Sequence, residues 1–173
     1  MLIDYTYFGG TGLFCVANVD PAIITNEGNY TKLVAFINAF EPEICEMLMT
    51  KALYDALIVG LAVTPTPEQR WIDLAAQLRN ATAKTSPIAN YVYFKLWSQS
   101  FQQSTQGGDV VITGSNLEPS ANKEKAALIW NQAVRQFEDF QEWLSDHLDD
   151  YPEWDGEDVY YLNCDDKINV LGI

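Results

Sequence analysis

Ser86-Pro87-Ile88-Ala89-Asn90-Tyr91-Val92-Tyr93-Phe94 opens residues 86–148, two apolar segments parted by a glycine-punctuated stretch, and the architecture follows from how these three pieces are read. Ser86 can cap a helix whose first position is Pro87, where a missing N–H costs nothing. Ile88, Tyr91, Val92, Tyr93, Phe94, Leu96, Trp97 and Phe101 are too many large groups for one stripe, so this helix is buried on several sides or docks outside its own domain. The closing segment spaces Ala126, Trp130, Ala133, Phe137, Phe140, Leu144 and Leu148 by threes and fours, with Lys125, Arg135, Glu138, Asp139 and Glu142 on the other side. That pattern predicts a long helix with one buried seam and one wet face. An ordinary antiparallel core pair would carry the same pattern.

Residues 104–120 form a longer connection than most compact domains use. Gly107-Gly108 and Gly114-Ser115 bracket Asp109-Val110-Val111-Ile112-Thr113, a β-branched run with turn chemistry at both ends. A strand there could pair with another chain's edge through Val110, Val111 and Ile112; the bland alternative is a loop without a partner.

With 173 residues and 48% hydrophobic composition the chain can bury a real core as one domain with arms or tails. A net charge of -14 argues against adhesion to nucleic-acid phosphates or an anionic membrane, though DNA could pass a negative wall without sticking. Cys15, Cys45 and Cys164 lack paired spacing and read as reduced thiols rather than a disulfide or metal framework. No signal-peptide pattern is expected at Met1-Leu2-Ile3-Asp4, and the longest apolar run, residues 56–63, is too short to span a bilayer.

Outward from the central pair, residues 1–28 read as an extended arm or loose hairpin, because Ile3, Tyr5 and Tyr7 alternate with polar residues and Gly9-Gly10-Thr11-Gly12 can turn. Its aromatics, Tyr5, Tyr7, Phe8 and Phe14, suit the cover of a neighbouring subunit; packing back onto their own core is the alternative. Residues 29–40 predict a helix that Pro42 ends, followed by short helices over 43–50 and 51–61 that Gly60 and Thr64-Pro65-Thr66-Pro67 stop. Thr66-Pro67-Glu68-Gln69 has the form of a capping box, opening a helix with Trp71, Leu74, Ala75 and Leu78 on one face. The bundle domain is thus expected over 29–148, with an extended acidic tail over 149–173 that offers Trp154, Tyr160 and Tyr161 as contact points. Asp155-Gly156-Glu157-Asp158 lacks the spaced ligands and final glutamate of a calcium loop, so no metal or cofactor is expected.

Catalytic chemistry is not legible. His147 is the single histidine and sits among acids with no positioned nucleophile, and no phosphate-cradling, dinucleotide or zinc-protease motif occurs, so no enzyme is expected.

Tyr7-Phe8, Phe40-Glu41-Pro42, Leu53-Tyr54, the run from Pro87 to Phe94, the glycine-rich stretch and Trp130-Asn131, taken in that order, resemble a family of small proteins of tailed bacteriophages and prophages of Bacteroidetes, crAss-like phages included. The likeness covers most of residues 1–148; Met49-Thr50-Lys51 departs from the family's Leu-Gly, and the acidic tail lies outside it. What the resemblance implies is a virion structural protein similar to head-tail connector or adaptor proteins, forming a homo-oligomeric ring between portal and tail at the neck of the particle, after synthesis in the host cytoplasm. The alternative expectation is a soluble acidic inhibitor that mimics nucleic-acid charge with its tail. The expected fold class is mainly α: a helical bundle with an N-terminal arm, a long β-like loop between two long helices, and the tail.

Overall fold

Ser86 caps as its position predicts, and it does more. In the computed structural model its Oγ accepts from the backbone N–H of Ile88 (3.1 Å) and Ala89 (3.3 Å) while donating to the carbonyl of Leu78 (2.7 Å). One buried hydroxyl therefore ends one helix and starts the next, joining the last turn of α2 (Gln69–Leu78) to the first of α3 (Pro87–Ser100). The structure describes residues 1–9, 15–23, 25, 27–100, 102–105, 108–111 and 119–154, and of residues 99–100, 102–105, 108–111 and 119–126 the backbone alone.

The molecule is mainly helical, a bundle in which α3 packs between α1 (Glu27–Leu61) and α4 (Pro119–Ser145), with α2 against the end of α1. Leu33, Ile37, Ile44, Cys45 and Leu48 of α1 meet Ile88, Val92 and Leu96 of α3 and Ile129, Ala133, Phe137, Phe140 and Leu144 of α4 in one core. Ala133, Phe137, Phe140 and Leu144 of the expected α4 seam are buried, together with Ile129 and Val134, but Trp130 is half-buried and Leu148 lies exposed beyond the end of the helix, because the chain turns away after Ser145.

Helix α1 differs from the expectation of three short helices. It runs through Pro42, whose missing N–H removes one hydrogen bond, because Ile37, Glu41, Ile44 and Cys45 on either side are all buried and hold the turn. The break falls at Thr50, with φ 66° and ψ 155°, a region glycine normally occupies. Thr50 Oγ1 accepts from Leu53 N–H at 3.5 Å, so the hydroxyl caps the second arm of the bent helix. Helix α2 also departs from its reading: it begins at Gln69 behind Glu68, which makes no side-chain cap. The helix starts three residues after Thr66, and the Gln69 amide that would complete the box donates to Asp73 Oδ1 at 2.8 Å, so the capping box does not form.

Residues 1–8 do not stand off as an arm. Asp4 caps a single 3-10 turn, Tyr5–Tyr7, and Leu2, Ile3, Tyr7 and Phe8 join the core. At the other end a 3-10 turn, Leu148–Asp150, leads to Tyr151 and Trp154, both buried, so the core continues six residues past 148. Between α3 and α4 the backbone forms a hairpin of β1 (Gln102–Thr105) and β2 (Gly108–Val111), antiparallel, with Gln102 opposite Val111 and Thr105 opposite Gly108. Among the described residues no helix is long and apolar enough to cross a membrane.

Candidate assembly surface

Aromatic side chains form a ladder across three helices. On α1, Phe36 and Phe40 are one turn apart with ring centroids at 5.5 Å; Phe40 meets Tyr91 of α3 edge-on at 6.5 Å; Tyr91 and Phe94 meet Trp130 of α4 at 6.3 and 5.0 Å. Tyr91 and Phe137 are buried, whereas Phe36, Phe40, Phe94 and Trp130 are only half-buried, so the ladder climbs from core to surface. Two lysines sit on it: Lys32 over Phe36 at 5.9 Å, and Lys95 over Phe40 and Tyr91 at 5.1 and 5.0 Å. Glu43 holds Lys95 in place (3.2 Å) and accepts from the Tyr91 hydroxyl (2.6 Å). A run of aromatic rings that reaches the surface is the composition of protein interfaces more than of bare monomer surface.

Electrostatics at the ladder follow from those contacts. Burial pushes the Glu43 carboxyl up, but hydrogen bonds from Tyr91 and Lys95 outweigh it and hold it below its ordinary value. Burial and the Glu43 charge push the Tyr91 phenol well above its ordinary value of 10.0. Burial, then the Glu41 carboxylate, do the same to Tyr54, and burial with Asp73 and Asp150 raises Tyr151 to about 12. A phenol whose folded pKa lies above its unfolded one contributes stability that is intact below the unfolded value and is lost as pH rises through it. Stability is therefore expected to hold from neutral pH to about 10, then fall by about 1.4 kcal/mol per pH unit for each of these three phenols. Urea midpoints measured between pH 7 and 11 test this, and Tyr91→Phe should lessen the alkaline fall.

The hairpin lies between α3 and α4 in the chain, and β1 packs near the end of α3. Val110 and Val111 lie in β2, opposite Gln103 and Gln102, and within the described residues each strand has one neighbour, which leaves an outer edge on each. A two-stranded ribbon is marginal in water by itself and gains from a third strand. Ile112 lies outside the described residues, as do Phe14, Tyr160 and Tyr161.

The N-terminal aromatics were expected on a partner; the structure spends them at home. Tyr7 is 8% exposed and Phe8 1%, while Tyr5 is half-buried edge-on to Tyr30 at 5.6 Å. Residues 2–8 form a strap, and its socket has a charged floor: Glu41, 1% exposed, accepts from Leu2 N–H (2.7 Å), Ile3 N–H (3.0 Å) and the Tyr54 hydroxyl (3.2 Å). Arg79 donates to the carbonyl of Leu2. Burying Leu2, Ile3 and Phe8 is worth roughly 1.5–3 kcal/mol each, a large part of a domain's net stability. No local pattern announces this pairing, because Glu41 lies 39 residues from Leu2.

Trp154 likewise packs at home, 5% exposed, and its indole N–H has no hydrogen-bond partner among the described residues. The turn that carries it is fastened to α2: Arg70 makes a bidentate pair with Glu153 (3.1 and 3.2 Å), donates to the carbonyl of Asp150 (3.1 Å) and lies 3.9 Å over the Trp71 ring. His147 is half-buried rather than exposed, stacked on Trp143 at 4.4 Å with Nδ1 2.7 Å from the Trp143 carbonyl. A groove of about 400 Å³ beside it is lined by Arg70, Asp73, Asp150 and Tyr151, with no serine, cysteine or lysine among its lining residues to act as a nucleophile.

The sequence reading assigned the ladder residues to helix interiors and missed the rim they share. The signal available was Lys32, Phe36 and Phe40 at intervals of four, one more aromatic stripe than a core-facing helix needs. Cys45 is buried, and burial holds its thiol well above the ordinary range, which makes it inert. Among the described residues no group of histidines, cysteines and carboxylates is placed to hold a metal ion. No family model matches this chain, and neither a curated protein nor a solved structure is detectably similar to it.

Proposed function

We propose that this chain is a structural subunit without catalytic activity, a connector or adaptor that meets copies of itself in a ring at the head-tail junction of a tailed phage. The observation that supports the reading is the aromatic ladder across α1, α3 and α4, together with a strand hairpin between α3 and α4 that has an outer edge on each strand within the described residues. Both features favour polypeptide partners: half-buried rings reward flat apolar contact, and a strand edge rewards another backbone. A heterologous contact repeated from copy to copy closes into a ring when the rotation allows. The charge of -14 suits a wall that DNA passes without sticking. Portal and tail proteins are the neighbours this reading names.

Deleting residues 106–116 tests it. The variant is expected to keep its helical circular dichroism and to be absent from particles in which the full chain is found. Phage that build and infect normally with the deleted chain in the particle would overturn the proposal.

A further inference from the structure

We propose that the strap, residues 2–8, is an exchangeable element: in the assembled state the strap of one copy fills the socket of its neighbour. The inference rests on the reading that copies of this chain meet, and it names what they trade. A socket floored by a buried carboxylate cannot stand empty. Glu41 accepts hydrogen bonds from Leu2 N–H and Ile3 N–H of the strap and from the Tyr54 hydroxyl of the socket, and the Met1 ammonium at the strap's start lies 3.7 Å from the carboxylate. Removing the strap would strand a desolvated charge, and would leave the apolar surface that Leu2, Ile3, Tyr7 and Phe8 cover in water. The filler must therefore offer two successive backbone N–H groups, a carbonyl for Arg79, and apolar side chains in a fixed order. A second copy of this chain presents that peptide by construction.

The strap's attachment permits the exchange. Its buried contacts lie in residues 2–8, and ten residues, 9–18, separate it from Val19, the next of the described residues buried in the core. Fully extended, that length spans about 35 Å, enough to reach an adjoining subunit while Val19 and α1 stay in place. The closed form folds this connection back on the strap, with Val16 N–H donating to the Phe8 carbonyl at 2.9 Å and Asn18 at a φ of 58°, a reversal that the exchanged form does not need. Apart from the Val16–Phe8 hydrogen bond, every strap contact in the closed form can be remade between copies, so exchange keeps the burial of residues 2–8 and is governed by the local concentration of neighbours.

Two full-length variants test the exchange without any particle. Ile3→Asp spoils the strap and leaves the socket intact; Glu41→Leu spoils the socket and leaves the strap intact. Mixed in equal amounts they are expected to give a heterodimer by native mass spectrometry that neither gives alone, and a higher melting midpoint for the Ile3→Asp component. A mixture that holds only the two separate monomers overturns the proposal. Should either variant fail to fold, the wild-type sequence with p-benzoylphenylalanine at Tyr7 is crosslinked as a blend of light and heavy isotope chains in the assembled state. Crosslinks that join light to heavy support exchange; an assembly whose crosslinks all stay within one chain rejects it while leaving the ring reading standing. Failure of the hairpin deletion to block assembly would instead remove the ring reading.

Discussion

Glu41→Leu is expected to lower the unfolding free energy by about 3 kcal/mol, which for a chain of this length is a fall of roughly 6–12 °C in melting temperature. The sign is not obvious in advance, because removing a buried carboxylate also removes its desolvation cost. The geometry decides it: leucine accepts nothing, so Leu2 N–H, Ile3 N–H and the Tyr54 hydroxyl would all lose their acceptor in a place water does not reach. Each stranded donor costs about 1–3 kcal/mol, and together they exceed the relief. Glu41→Gln keeps the shape and one accepting oxygen but turns an N–H₂ toward a donor, so it should fall between wild type and leucine. Urea denaturation of the three proteins gives the order, and a Glu41→Leu protein as stable as wild type would mean that the carboxylate does not hold the strap.

Gly60→Ala should cost about 3 kcal/mol, against the usual trend. In a helix interior this substitution normally gains close to 1 kcal/mol. Here an added Cβ would lie 2.2 Å from Cδ1 and 2.3 Å from Nε1 of Trp71. The indole cannot step aside: it is buried, with the Arg70 guanidinium on its face and Tyr151 beside it at 6.3 Å. Separation of α1 from α2 is the remaining response, and that opens the core where Leu57 and Leu74 are fully buried. Gly28→Ala is the internal control, since nothing lies within 4 Å of its added carbon. The tryptophan near-UV signal and the denaturation midpoint should change for Gly60→Ala alone; a neutral result would show that the α1–α2 crossing is looser than described.

The contrast between these positions explains what could be read in advance. Ser86 and the α4 seam were legible because a cap and a stripe are local, set by residues within two turns of one another. The boundary after residue 50 was placed correctly, yet Pro42 was expected to break α1 and does not, since the burial of its neighbours outweighs one lost hydrogen bond. Thr66-Pro67-Glu68-Gln69 has the pattern of a capping box, but the helix begins only at Gln69, whose amide turns forward to Asp73. The alternation of Ile3, Tyr5 and Tyr7 imitated a strand, whereas the chain makes a 3-10 turn held by Asp4, which accepts from Thr6 N–H at 2.8 Å. Pairings such as Leu2 with Glu41, or Arg70 with Glu153, join residues far apart in the chain, and no single-sequence periodicity encodes them. For the same reason periodicity placed Phe36, Phe40, Phe94 and Trp130 on helices but could not tell which rim of the bundle they would share.

The elbow at Thr50 sets a length scale as well. An unbroken helix over the 35 residues of α1 would be a rod of about 52 Å, longer than a small domain is wide. Interrupted at Thr50, it becomes a longer limb of about 35 Å and a shorter one of about 17 Å. The shorter limb, free of the longer one's line, brings Gly60 against the Trp71 ring of α2, while the longer carries Ile37, Ile44 and Leu48 into the core.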